Sequence, residues 1–169
     1  MITYLNGDAT YPKYKNDIRL ILHITNRQGG WGKGFVLALS KRWKEPELEY
    51  RKWFSDYKKS TGNILPLGAI QIVDVEDEFG KLYVINMCAQ DGFKSEYNPV
   101  PMKYSALRVC LGEVKSWIND QMSREELPFS IHMPRVGCNL GGASWAFVEK
   151  VINETLLDEN IFVYDLERK

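Results

Sequence analysis

Short apolar runs and helical spacings follow one another along the chain. Ile18-Arg19-Leu20-Ile21-Leu22-His23-Ile24-Thr25 is apolar and β-branched with a single charge, as suits a central strand covered on both faces. It stops at a glycine-rich loop, Asn26-Arg27-Gln28-Gly29-Gly30-Trp31-Gly32-Lys33-Gly34. Phe35, Leu39 and Trp43 then keep helical spacing, with Lys41, Arg42 and Lys44 where cations suit a helix C-terminus. Pro46 marks the first turn of a second helix carrying Tyr50, Phe54 and Tyr57. Residues 67–75 and 82–87 read as strands joined by a hairpin turn at Glu78-Phe79-Gly80-Lys81. Residues 91–101 form a loop, and Leu107, Leu111, Val114 and Ile118 mark one face of a long helix. A strand over 129–133 opens into a second glycine-rich stretch, 134–142. Ser144 is placed to cap the next helix, with Glu149 in an early turn and Val148, Ile152 and Leu156 facing inward. Residues 161–164 form a last strand. With no repeat and no domain break, this order predicts one α/β domain over 1–169, a mixed sheet with helices on both faces.

Composition narrows the class without naming a function. Of 169 residues, 44% are hydrophobic and 26% charged, which is globular and not disordered. Twenty-two Lys and Arg balance twenty-two Asp and Glu, so no overall field gathers nucleic acid or anionic lipid. The Lys41-Arg42-Trp43-Lys44 and Arg51-Lys52-Trp53 clusters interleave cations with aromatics, but Glu45, Glu47 and Glu49 dilute them; amphipathic packing on the sheet is the stronger account. Cys88, Cys110 and Cys138 are odd in number, widely separated and without a C-x-x-C, against a disulfide framework or a zinc site. Without a signal-like N-terminus or an 18-residue apolar run, the expected home is the cytoplasm, with no membrane partner, no metal and no cofactor.

The two glycine clusters occupy the same topological place: each follows a buried-looking strand and precedes a helix. In open α/β sheets ligands bind there, beyond the strand carboxyl ends. Glycine lets backbone amides come close to a ligand, and the helix N-terminus behind adds partial positive charge. Two such loops could hold a diphosphate without any field of Lys or Arg. The familiar nucleotide fingerprints fail, however. Gly32-Lys33 is followed by Gly34 and not Ser or Thr, and Phe35 stands where a G-x-G-x-x-G would need its last glycine.

These loops, together with Gly7-Asp8-Ala9-Thr10, His23-Ile24-Thr25-Asn26 and Met133-Pro134-Arg135-Val136-Gly137-Cys138-Asn139-Leu140-Gly141-Gly142, resemble the macro domain family, whose members bind ADP-ribose. The strings look most like those of small stand-alone macro domains that process ADP-ribose 1''-phosphate and of terminal ADP-ribose protein glycohydrolases. The likeness runs from residue 6 to Leu166 and implies a three-layer α/β/α fold with a mixed, mostly parallel sheet. It implies that Asp8 reads the adenine amine and the Ala9 amide a ring nitrogen; an Asx-turn is the equal alternative for Asp8. Leu166 would wall the adenine. Gly29, Gly30, Trp31, Gly32, Lys33 and Gly34, with Pro134, Arg135, Val136, Gly137, Cys138, Asn139, Leu140, Gly141 and Gly142, would cradle the diphosphate and distal ribose, and Asn26 would hydrogen-bond that ribose. Trp31 either covers the ligand or docks its loop on the first helix. Lys33 either neutralises a phosphate or is simply solvated.

The reaction is less determined. One hydrolase branch of the family carries an Asp just after the first glycine run, where this chain has Phe35-Val36-Leu37. The terminal glycohydrolases use a Lys and an Asp at positions that look like Met87 and Gly141 here. What remains is His23, Asn26 and Asp91, with His23 as a base and Asp91 orienting water or the histidine; a satisfied core histidine is the alternative for His23, and His132, inside a strand, is read as structural. A phosphatase acting on ADP-ribose 1''-phosphate leads. A reader of ADP-ribose, free or on macromolecules, and a hydrolase that removes ADP-ribose from protein or nucleic acid stay open beside it.

Overall fold

The computed structural model describes residues 2–14, 16–125 and 127–166. Its strands are β1 (Ile2–Asn6), β2 (Ile18–Asn26), β3 (Ile70–Asp77), β4 (Gly80–Gln90), β5 (Phe129–Met133) and β6 (Asn160–Asp165). Its helices are α1 (Phe35–Arg42), α2 (Glu45–Thr61), α3 (Tyr104–Met122) and α4 (Trp145–Thr155). The strands form one sheet in the order β1-β6-β5-β2-β4-β3. Every neighbouring pair is parallel except the β3–β4 hairpin. This is the mixed sheet the element order predicts, mostly parallel as the family resemblance implies.

The burial of β2 shows why a continuous apolar run suits this place. Ile18, Leu20 and Leu22 enter the core under α3 and α4, where Leu107, Leu111, Val114, Val148 and Ile152 meet them. Ile21 turns the other way, into the core with Leu39 and Tyr50 of α1 and α2. Two helices thus cover each face, and the strand has no solvent side. The single charge in β2, Arg19, is fully buried and forks onto Asp77 at 2.7 and 2.5 Å, tying the start of the central strand to the hairpin at the sheet edge. Burial alone would push the Asp77 carboxyl up, but hydrogen bonds from Arg19 and the Phe79 amide hold it below the usual carboxylate range.

Four details depart from the sequence pattern. β1 is an additional edge strand beside β6. β3 begins at Ile70, three residues later than the apolar run, and β4 extends to Gln90. Trp43 ends α1 in an extended conformation instead of continuing its spacing. Ser144 stands at the cap position of α4, but its side chain makes no capping bond and the first turn holds no acid; Glu149 instead accepts a hydrogen bond from Tyr4. Among the described residues, no helix is long and apolar enough to cross a membrane.

Candidate functional site

All five parallel strands end on one edge of the sheet, so the segments after β1, β2, β4, β5 and β6 gather there. The loop between β2 and α1 is anchored at both ends and open in its middle. The Arg27 amide donates to Gln90 and that of Gln28 to the Asn26 side chain. The amides of Gly30, Gly32, Lys33, Gly34, Phe35 and Val36 have no acceptor among the described residues. Trp31 is buried: its indole N–H donates to Ser40 of α1 at 2.9 Å, and its ring packs on His23 and Tyr50. These contacts dock the loop on the first helix, as one of the two readings of Trp31 has it. Lys33 is exposed and without an ion pair among the described residues.

The loop between β5 and α4 lies on the neighbouring strand and is folded on itself. Ala143 donates to the Gly137 carbonyl at 2.9 Å, Gly142 to Asn139 at 3.2 Å, and Met102 to Gly141 at 3.1 Å. The amides of Gly137, Asn139, Leu140 and Gly141 again find no acceptor among the described residues. The Leu140 side chain reaches across to the first loop, 3.1 Å from where a Cβ on Gly34 would stand. At Gly141 a Cβ would lie 2.5 Å from the Gly137 carbonyl oxygen. The loop as folded therefore has no room for the acid expected there in a terminal glycohydrolase. The Arg135 side chain differs from its expected role in the cradle. It is paired with Asp165 at 2.6 and 2.9 Å and stacked on Tyr4 and Trp145, so its charge is already matched. The Cys138 thiol, pushed up by burial, donates to the Val136 carbonyl. Both helices behind the loops lack a side-chain cap and a first-turn acid, which leaves their N-terminal partial charge unspent.

At the far end, Asp8 Oδ1 accepts from the amide and the hydroxyl of Thr10, both at 2.8 Å. The Asx-turn is real, and it uses one oxygen only; Oδ2 has no partner among the described residues. Ala9 is buried beside Phe162 and Tyr164, its amide likewise without an acceptor, and Leu166 is exposed at the end of β6.

Of the three groups singled out for chemistry, His23 stands apart from Asn26 and Asp91. His23 is 1% exposed. Asn86 donates to Pro46 and Gln71 through Nδ2, so its Oδ1 accepts from His23 Nε2. Burial drives the His23 pKa down to about 4, against the hydrogen bond that His23 donates to Asn86. Sealed beneath Trp31 and Phe35, it is a neutral core residue and not a base facing a ligand. Asp91 is drawn to Arg27 at 3.6 Å, not to the histidine. Asn26 is 6% exposed. Its Nδ2 donates to the Gly92 carbonyl at 2.9 Å, and its Oδ1 accepts from the Gly92 and Gln28 amides. Its side chain therefore staples the first loop to the loop after β4, where a ribose contact was expected. His132 is structural as read: its nitrogens pair with Ser130 and Tyr164, and burial, then the Arg19 charge, lowers its pKa to about 3.

A macrodomain protein from Streptomyces coelicolor is 37% identical, with 98% of this chain and 99% of that one aligned at a TM-score of 0.76. The chain belongs to the macro domain family. This macro domain also matches a protein of unknown function from Bacteroides thetaiotaomicron, at 43% identity over 98% of each chain and a TM-score of 0.83. Thermosipho africanus DarTG, solved in complex with ADP-ribose, shares the fold over 41% of its length and 98% of this chain, at 16% identity and a TM-score of 0.66. Among curated relatives, the ADP-ribose 1''-phosphate phosphatase of Saccharomyces cerevisiae is 23% identical over 98% of each chain. The Chromodomain-helicase-DNA-binding protein 1-like of Danio rerio is 29% identical over 95% of this chain. The macro domain spans 15% of that relative's length. No family model matches the chain.

Proposed function

We propose that this macro domain binds ADP-ribose across the strand ends, with adenine at Asp8 and the diphosphate over the two glycine loops. One observation carries the reading: two loops on adjacent strands present runs of backbone amides with no acceptor among the described residues, each in front of an uncapped helix N-terminus. Such a surface attracts an anion of modest charge without Lys or Arg. DarTG, part of which shares this fold and which was solved in complex with ADP-ribose, supports it. Asp8→Asn keeps an oxygen for Thr10 while replacing the free oxygen with a donor, which opposes an adenine amine. Calorimetry should show ADP-ribose affinity falling about tenfold or more, the worth of a hydrogen bond to a charged group, with thermal stability near that of the parent. An unchanged affinity would remove adenine from Asp8.

The reaction proposed at this site is hydrolysis of ADP-ribose 1''-phosphate. Water attacks phosphorus, the P–O bond to the ribose breaks, and ADP-ribose and phosphate leave, with loop amides bonding the equatorial oxygens. The name of the yeast relative supports this. Asp91, on the loop that Asn26 pins, orients the water, and His23 takes no part. Incubation with ADP-ribose 1''-phosphate should release phosphate, at least tenfold more slowly in Asp91→Asn. Tight binding without phosphate release would make the domain a reader.

A further inference from the structure

The loop after β4 carries a feature that the proposed diphosphate site does not use. Phe93 is 66% exposed, yet the loop that bears it is firmly held. Asn26 grips the Gly92 carbonyl and amide, and Gln90 Nε2 donates to the same carbonyl at 3.0 Å. Asn98 Nδ2 donates to the carbonyls of Asp91 and Phe93 at 2.9 and 3.2 Å. Ser95 and Asn98 exchange backbone bonds across the tip. The ring also leans on the first glycine loop: its Cζ lies 3.4 Å from where a Cβ on Gly30 would stand. A ring held in place beside open amides offers its apolar face to whatever those amides bind.

The strand order says which part of a ligand arrives there. Asp8 follows β1, the open amides follow β5 and β2, and Phe93 follows β4, on the far side of β2 from β5. At roughly 4.8 Å between strands, a ligand with adenine over β1 and β6 and its diphosphate over β5 and β2 brings its second sugar to β4. We infer that Phe93 is a specificity-determining residue that packs its ring on the C–H face of that sugar and so separates ADP-ribose from ADP, an inference that rests on the ADP-ribose reading above.

Calorimetry of the full chain with ADP-ribose and with ADP tests this, because ADP lacks the second ribose. Phe93→Ala should weaken ADP-ribose binding about tenfold, as expected for losing a largely buried aromatic contact, and leave ADP binding as in the parent. Phe93→Tyr should restore ADP-ribose binding. Tyr97→Ala, at the far tip of the loop and 94% exposed, should change neither ligand. Equal weakening of ADP and ADP-ribose by Phe93→Ala would make the residue a prop for the amide loop and overturn the inference. No change with either ligand would overturn it as well. A parent chain that binds neither ligand would instead overturn the underlying ADP-ribose reading.

Discussion

Acidification from pH 6.5 to pH 4.5 should cost this protein on the order of 5 kcal/mol of stability, beginning well above the range where ordinary carboxylates protonate. The cause is the pair of histidines buried in neutral form. His23 has its pKa lowered to about 4 by burial, and His132 to about 3 by burial and then by the Arg19 charge. In the unfolded chain both titrate near 6.5, so below that pH the unfolded state binds protons that the folded state refuses. Stability therefore falls as pH falls. Each group contributes about 1.4 kcal/mol per pH unit, for His23 down to about pH 4 and for His132 to about pH 3. Two groups over two pH units approach the whole stability of an average domain. Urea midpoints at pH 7, 5.5 and 4.5 measure the slope, and imidazole resonances that stay neutral until unfolding identify its source. A flat midpoint down to pH 4.5, or imidazoles titrating near 6.5 in the folded protein, would show that these rings are not sealed.

Those histidines also show where the sequence stops being informative. The run of β2 reveals a buried strand because it is apolar throughout, but that same continuity erases the alternation that would tell one face from the other. His23 could then point toward a ligand or into the core, and only the packing of Trp31 and Phe35 over it decides. β1 is invisible for the opposite reason: as an edge strand with only Ile2 and Leu5 half-buried, it carries too little apolar signal to stand out. The glycine loops were legible because strand, glycine cluster and helix come in local sequence. Their internal wiring was not. The resemblance makes Asn26 a sugar ligand, whereas its partner Gly92 lies 66 positions away. Arg135 reads as part of a phosphate cradle by its loop, whereas its charge is spent on Asp165, which follows by 30. Long-range pairings of this kind leave no periodic trace. The absence of an acid at Gly141 was readable as a letter, and its physical reason, a carbonyl in the space of a Cβ, only from the fold.

The same crowding makes the second glycine loop the most sensitive backbone in the site. Gly142 has φ +69°, and a Cβ built on it would stand 2.2 Å from the Pro99 carbonyl oxygen and 3.3 Å from the Val100 Cα. A left-handed conformation alone costs an alanine about 1–2 kcal/mol. The clash cannot be relieved by a side-chain rotation, since the obstacle is main chain. Gly142→Ala must therefore part the loop after β5 from the loop after β4, and the neighbouring bonds from Met102 to Gly141 and from Ala143 to Gly137 loosen with it, at about 1 kcal/mol each. A loss of roughly 3–4 kcal/mol follows. The open amides of Gly137, Asn139, Leu140 and Gly141 lose their common aim, so ADP-ribose affinity should drop by about two orders of magnitude, the worth of two or three charge-assisted bonds to phosphate. Gly32→Ala is the informative partner. Nothing lies within 4 Å of its would-be Cβ and its φ is not in the left-handed range, so its thermal midpoint should stay close to that of the parent. If Gly142→Ala melts and binds like the parent, the loop is not held by the main-chain contact that the structure shows, and the cradle loses its physical basis.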